Sequence, residues 1–342
     1  MTTNEVKAQF DENRDLVTIT VPLSSLNGGA ALWVDTGDQS VTLVEDTEET
    51  GVDDLVTADY FVKPSYWSQL GLYLMPGSAR PVIALVGPTG NGKTTVAETM
   101  LAALGYDYEV LDANDFIEVS DLVGDMSYKV ENGNGAEVWK DGIVTRCFRQ
   151  GKALIINEFD SLNPRVALCL QSVLQESGPT GKGRYVTTPG ADTDKVYPGG
   201  ECPIILTMNT FGSGATRMYT GRNALDAASL DRVSIITTGY ENENLILGKR
   251  GYLQSTIAEI MAWATPARKA IDDNALRVSL SVRTLIRIAQ GVEQYGWDLD
   301  EASEKEFYGR IDPEYRELLK PAPEPATTSS FQKRPSPFGT QS

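Results

Sequence analysis

None of the 342 residues is histidine. That single absence excludes imidazole metal sites, Ser-His and Cys-His nucleophilic pairs, and histidine general bases. Cysteine is scarce as well. Cys147, Cys169 and Cys202 are far apart and odd in number, so they offer neither a zinc-ligand spacing nor a disulfide framework, and they fit a reducing compartment. No apolar run approaches the ~20 residues that span a bilayer. The opening MTTNEVKAQFDENRD also has no apolar core of the kind an export signal needs. A cytoplasmic location without membrane insertion is the expectation. Positive charge is short too: 30 Lys and Arg stand against 47 Asp and Glu, for a net charge of −17. Such a chain repels phosphate backbones, which disfavours nonspecific nucleic-acid binding and leaves only local basic loops for it.

What is present reads as an ordinary globular protein, 41% hydrophobic and 23% charged, long enough for two domains or one with a cap. Residues 1–58 are acidic and rich in Thr, Gly and Asp; DLVTITVPL and QSVTLVED alternate as exposed strands do, giving a β-containing extension. From 59 to 240 apolar strands alternate with helices, the pattern of a parallel sheet. PVIALVG, DYEVLDA, KALIINE and CPIILTMN are its strands. TTVAETMLAALG is a helix with Val96, Met100, Leu101 and Leu104 on one face and Gly105 as its stop. Residues 241–320 carry helical spacing in NENLILGKRGYLQSTIAEIMAWA and SVRTLIRIAQGVEQYG. The Pro- and Ser-rich stretch 321–342 reads as a disordered tail, and GPTGKGR at Gly178 as a turn.

The strongest chemical signal is VGPTGNGKTT. Gly87, Pro88, Thr89, Gly90, Asn91, Gly92, Lys93 and Thr94 match G-x-x-x-x-G-K-[ST], with Thr95 following. An apolar strand precedes the match and a helix follows it, the context in which such a loop cradles phosphates. Its glycines let backbone N–H groups face a triphosphate, Lys93 reaches the β- and γ-phosphates, and the Thr94 hydroxyl ligates Mg²⁺. The expected ligands are therefore a nucleoside triphosphate and Mg²⁺.

A second signal is LIINEFD. In a phosphate-loop sheet the neighbouring strand normally ends in Asp-Glu, the Asp serving the Mg²⁺ shell and the Glu polarising the attacking water. Here Asn157 stands at the metal position and Glu158 at the water position. An amide oxygen still accepts from a metal-bound water but brings no charge, and a unit charge at 4 Å is worth ~4 kcal/mol at an effective dielectric of 20. Asp160 is the candidate to compensate, as a further metal-side carboxylate. The competing reading is that Glu158 and Asp160 only cap a following helix, with Asp160-Ser161 a reasonable cap. Asn209, in TMNT at another strand tip, is placed to orient water or read the γ-phosphate. Arg232 in ASLDRV and Arg283 in SLSVRT are suited to bidentate phosphate contact, although a lone Arg is more often a surface residue.

Taken in order, these stretches resemble the AAA+ ATPases of the MoxR group, most of all the ATPase subunit of cobalt chelatase (CobS-type) and its phage and bacterial relatives. The resemblance covers about residues 60–295. It implies a P-loop AAA+ α/β core, a parallel sheet with helices on both faces, followed by a small helical lid. It implies that Gly87–Thr94 is Walker A, Asn157-Glu158 a degenerate Walker B, Asn209 sensor 1, Arg232 an arginine finger entering a neighbouring subunit's site, and Arg283 sensor 2. DLVGDMSYKVENGNGAEVWKDG matches the family's hairpin insertion before Walker B, and RYVTTPGADTDKVYPGGE a second hairpin before sensor 1; such hairpins line the pore face of related rings. A finger acting in trans implies a homo-oligomer, most often a hexameric ring, and the family's partners often carry a von Willebrand A-type domain. The function implied is a ring that hydrolyses ATP to remodel a partner protein. The alternatives are a nucleotide-gated switch slowed by Asn157 and a McrB-like DNA motor, the latter disfavoured by the charge.

Overall fold

The computed structural model describes strands within residues 7–44 and then residues 61–319, except 79, 132–133, 177–182 and 190–194. The turn expected at Gly178 and the tail 321–342 lie outside the described residues. The amino-terminal extension forms an antiparallel sheet in sequential order from β1 (Lys7–Phe10), β2 (Leu16–Thr20), β3 (Leu32–Asp35) and β4 (Val41–Val44). The two strands expected there are β2 and β4, with β1 and β3 added.

The core begins with α1 (Trp67–Leu74) and β5 (Val82–Val86), and continues with α2 (Lys93–Ala103), β6 (Tyr108–Asp112) and α3 (Val119–Leu122). A long antiparallel hairpin, β7 (Gly124–Glu131) with β8 (Asn134–Asp141), precedes α4 (Ile143–Gln150) and β9 (Ala153–Asn157). Next come α5 (Pro164–Cys169) and the short hairpin of β10 (Val186–Thr187) with β11 (Lys195–Val196). The unit closes with β12 (Ile204–Met208), α6 (Ala227–Leu230) and β13 (Ser234–Thr237). Both hairpins fall where the resemblance implied them.

The central sheet runs β13-β5-β12-β9-β6, and every neighbouring pair is parallel. Its architecture is the α/β AAA+ core expected, a five-stranded parallel sheet flanked by helices. Alternation along each strand explains the layering, because successive side chains leave on opposite faces. Val82, Ala84, Val86, Leu154, Ile156, Leu206 and Met208 pack on one face with Val144, Phe148 and Leu170. Ile83, Leu85, Ile155 and Ile205 pack on the other with Trp67, Leu70, Val96 and Met100. All residues of β5 are buried, as expected for a central parallel strand covered on both sides. The sequence reading missed β13, a fifth strand.

The remaining helices are α7 (Glu243–Lys249), α8 (Gln254–Asp273), α9 (Val282–Tyr295), α10 (Leu299–Glu306) and α11 (Pro313–Leu319). They share one apolar cluster built on Leu247, Ile257, Ile260, Leu285, Ile288 and Phe307. The stretch expected as one helical run is broken at Gly251, whose φ of +88° is left-handed. No helix among the described residues is long and apolar enough to cross a membrane.

Candidate functional site

In an open parallel sheet the strands' carboxyl ends gather the loops that bind ligands. Here that edge brings together Gly87 after β5, Asp112 ending β6, Asn157 ending β9, Asn209 after β12 and Thr238 after β13. The loop from Gly87 to Gly92 turns through Gly90 (φ +69°) and Gly92 (φ +90°), left-handed positions that suit glycine. A Cβ on Gly87 would lie 2.2 Å from the Thr238 carbonyl oxygen, so this close approach also demands glycine. A Cβ on Gly90 would lie 2.6 Å from the Ser281 Cβ, which places the start of α9 directly against the loop.

Lys93 opens α2 and is only 7% exposed. Its Nζ donates to the Gly87 and Pro88 carbonyls at 2.9 and 2.8 Å, and to Asn209 Oδ1 at 3.1 Å. The expected loop lysine and the expected strand-tip amide thus meet. Burial, seconded by the Arg222 charge, pushes the Lys93 ammonium down to about 8, while Asp160 and Glu158 pull it back up. Its folded value therefore lies below the ordinary lysine value of 10.5. Below pH ~8 the folded and unfolded states both carry the proton. Between ~8 and ~10.5 the folded state releases it first, so stability relative to a Lys93→Met variant rises with pH. A triphosphate bound here would hold the ammonium form, so its affinity is expected to fall through the same range, approaching tenfold per pH unit well above ~8. Titrating nucleotide from pH 7 to 9.5 checks this, and a flat profile would contradict it.

Thr94 Oγ1 donates to Asn157 Oδ1 at 2.8 Å, so the expected metal-side pair is in contact. The Asn157 Nδ2 donates to Asp112 Oδ1 at 3.0 Å. Among the described residues no three His, Cys, Asp or Glu side chains converge into a cation cage. A cation here would lean on the Thr94 hydroxyl, the Asn157 oxygen and the ligand's own phosphates. The glycine-lined loop, the buried amine and this oxygen pair fit a triphosphate with Mg²⁺.

Glu158 sits beyond the end of β9 with φ +54° and ψ +40°, a left-handed backbone rare for a non-glycine residue and of order 1 kcal/mol in cost. Its amide donates to Thr207 Oγ1 at 3.1 Å, and its carboxylate pairs with Arg222 at 3.2 Å. The turn at Glu158 rotates Asp160 away from Thr94. Asp160 is fully buried, and its Oδ2 accepts from the Asn209 amide, the Thr210 amide and Thr210 Oγ1 at 2.9–3.1 Å. Its Oδ1 lies 3.4 Å from Arg222 Nε, an ion pair outside hydrogen-bond geometry. The structure thus directs Asp160 to the tip of β12 and not to the expected metal position. Neither acid caps α5 with its side chain; Asn163 does.

Arg283, the second residue of α9, lines the same cleft as Lys93, Thr94 and Asn157, a space of ≈ 450 Å³. An adjoining cleft of ≈ 280 Å³ lies between Val62 and Tyr66 on one side and Ile246, Val282 and Ile286 on the other. Arg232 follows α6, donates to the Ala228 carbonyl and does not line either cleft.

Several residues at this edge escaped the sequence reading. Arg222 bridges Glu158, Asp160 and Ser161. The Thr89 amide donates to the Tyr219 hydroxyl at 3.0 Å, and the Tyr240 hydroxyl donates to the Thr89 carbonyl at 2.9 Å. Tyr240 lies under the Arg268 guanidinium, which pairs with the buried Glu243. An Arg and two Tyr in loops carry no local pattern that announces a contact so distant in sequence.

A family model described as "AAA domain (dynein-related subfamily)" matches residues 82–233, from the start of β5 to the residue before β13. That stretch carries an AAA domain, and the relatives it aligns with support an AAA+ ATPase of the MoxR/CobS type. The chain is 27% identical over 248 residues to the aerobic cobaltochelatase subunit CobS of Sinorhizobium sp, covering 69% of this chain and 72% of that protein. It is 26% identical over 233 residues to the gas vesicle ATPase GvpN of Haloferax mediterranei, covering 62% of each. It is 32% identical over 175 residues to the gas vesicle ATPase GvpN1 of Halobacterium salinarum, covering 45% of each. The chain therefore spans less than two thirds of the two gas-vesicle relatives.

Proposed function

We propose that this AAA+ protein binds ATP with Mg²⁺ at the Gly87–Thr95 loop and hydrolyses it in an oligomeric ring, hexameric by family habit, to remodel a partner protein. The reading rests most on one observation: Lys93, Thr94, Asn157, Glu158, Asn209 and Arg283 come from separate segments to the carboxyl edge of one sheet. Residues 59–240 act as the nucleotide-binding core and 241–320 as the lid. The base enters the apolar cleft beside Val62, Ile246 and Ile286, and the triphosphate extends toward Lys93.

Each side chain then has a task. The Lys93 ammonium neutralises the β- and γ-phosphate oxygens. The Thr94 hydroxyl and Asn157 oxygen hold the Mg²⁺, which when bound spreads the charge of the transferred phosphoryl group. The Glu158 carboxylate orients the water and takes its proton. Asn209 reports the terminal phosphate to Lys93, and Arg283 carries its arrival to the lid. The neighbouring subunit's Arg232 faces the charge that develops on transfer. A partner bearing a von Willebrand A-type domain fits the MoxR-type reading. Nucleic acid remains disfavoured by the charge of −17.

A second reading, a nucleotide-gated switch with slow turnover, is favoured by the neutral Asn157 and by the Arg222 pair that occupies Glu158. Steady-state ATP hydrolysis by the wild type and by Lys93→Ala tests both. Hydrolysis that disappears in the variant supports the motor, whereas tight ATP binding with negligible turnover supports the switch. Absence of Lys93-dependent nucleotide binding in the wild type contradicts both.

A further inference from the structure

The cation side of the cleft raises a chemical question that Thr94 and Asn157 alone do not answer. An asparagine amide is two-faced, and its oxygen and nitrogen are told apart by their partners. Asn157 Oδ1 meets Thr94 Oγ1 at 2.8 Å and Thr207 Oγ1 at 3.3 Å. Both partners are hydroxyls, which accept as readily as they donate, so they do not fix the orientation. The other end of the amide does. It faces Asp112 Oδ1 at 3.0 Å, and a carboxylate only accepts, so the NH₂ group must lie there and the oxygen must face Thr94.

The pairing follows from the sheet. Asp112 and Asn157 are the last residues of β6 and β9 and stand directly opposite in the parallel register. Their side chains therefore leave on the same face. Asp112 is exposed to the cleft that Thr94 and Lys93 line. Its field also reaches α2, where the Glu98 carboxyl is pushed up by burial and secondarily by the Asp112 charge.

We propose that Asp112 is the positioning residue that lets Asn157 serve the cation: it turns the amide oxygen toward Thr94 and supplies, from the next strand, the negative charge that residue 157 lacks. The proposal rests on the nucleotide reading given above. It also implies that the two strand tips are alternatives. An aspartate at 157 beside Asp112 would set two carboxylates against each other at hydrogen-bond distance, with no amide donor left between them. Asn157→Asp alone is then no improvement, whereas exchanging the two residues keeps one charge and one amide.

The test is retention of a fluorescent ATP analogue as Mg²⁺ is titrated, with binding in EDTA as the reference. Proteins compared are the wild type, Asp112→Asn, Asn157→Asp, and the exchanged double variant Asp112→Asn/Asn157→Asp. The Asp112→Asn variant is expected to need about tenfold more Mg²⁺ or above, with binding in EDTA unchanged, as outer-shell changes typically weaken metal affinity 10- to 100-fold. The double variant is expected to return close to the wild-type midpoint. An Asp112→Asn midpoint within twofold of wild type, a double variant that restores nothing, or an equal loss in EDTA would each overturn the proposal. If the wild type retains no analogue at any Mg²⁺ concentration, the nucleotide reading itself fails and the proposal falls with it.

Discussion

Glu158→Gln is expected to keep nucleotide bound and to lose about 10²- to 10⁴-fold in hydrolysis, the usual worth of a positioned general base. The amide preserves size, so the strained left-handed turn and the Thr207 contact to the Glu158 backbone survive. What changes is the capacity to take a proton from water. The Arg222 partner sharpens the prediction. Arg222 lies 3.2 Å from the Glu158 carboxylate and also holds buried Asp160, so it is anchored whether or not Glu158 is charged. The loss therefore appears as a fall in kcat with nucleotide affinity nearly intact, measured by single-turnover hydrolysis beside equilibrium binding. A variant with wild-type turnover would remove Glu158 from the chemistry. A variant that loses binding and turnover together would make its role structural.

Arg232→Ala carries the other large effect. An arginine finger in P-loop enzymes is worth about 10³- to 10⁵-fold. Among the described residues Arg232 hydrogen-bonds its own chain's Ala228 carbonyl and lines neither cleft of its own subunit, so the proposed function assigns its action on phosphate to another copy. This makes a sharper experiment than the single substitution. Arg232→Ala and Glu158→Gln proteins, each inactive alone, regain hydrolysis when mixed, because some interfaces then join an intact Glu158 to an intact Arg232. Mixing that restores nothing, or an Arg232→Ala protein as active as wild type, contradicts action in trans.

The phosphate loop could be read from the chain because its chemistry is local: glycines, lysine and threonine at fixed spacing between a buried strand and a helix. The tip of β9 was equally legible, since an apolar run that stops in Asn-Glu advertises itself. Asp160 shows where that reading fails. Its acid looks like another cation ligand until the left-handed Glu158 rotates it beneath β12, and nothing in NEFD announces a positive φ at a glutamate. Asp112 and Arg222 were invisible for a different reason. Their partners are made by the parallel register and by the loop after β12, not by neighbours in sequence. β13 went unread because Ser234–Thr237 is short and one-sidedly buried, and the break between α7 and α8 because Gly251 interrupts an otherwise continuous helical pattern.

The central claim is that a triphosphate is gripped between the Lys93 loop and the tips of β9 and β12. An experimental structure of the protein with a slowly hydrolysed ATP analogue and Mg²⁺ tests it most directly. The account predicts the terminal phosphate beside Lys93 and Asn209, with the cation next to Thr94 and the Asn157 oxygen. A nucleotide bound elsewhere on the molecule, or one in the cleft with its phosphates turned away from Lys93, would contradict it.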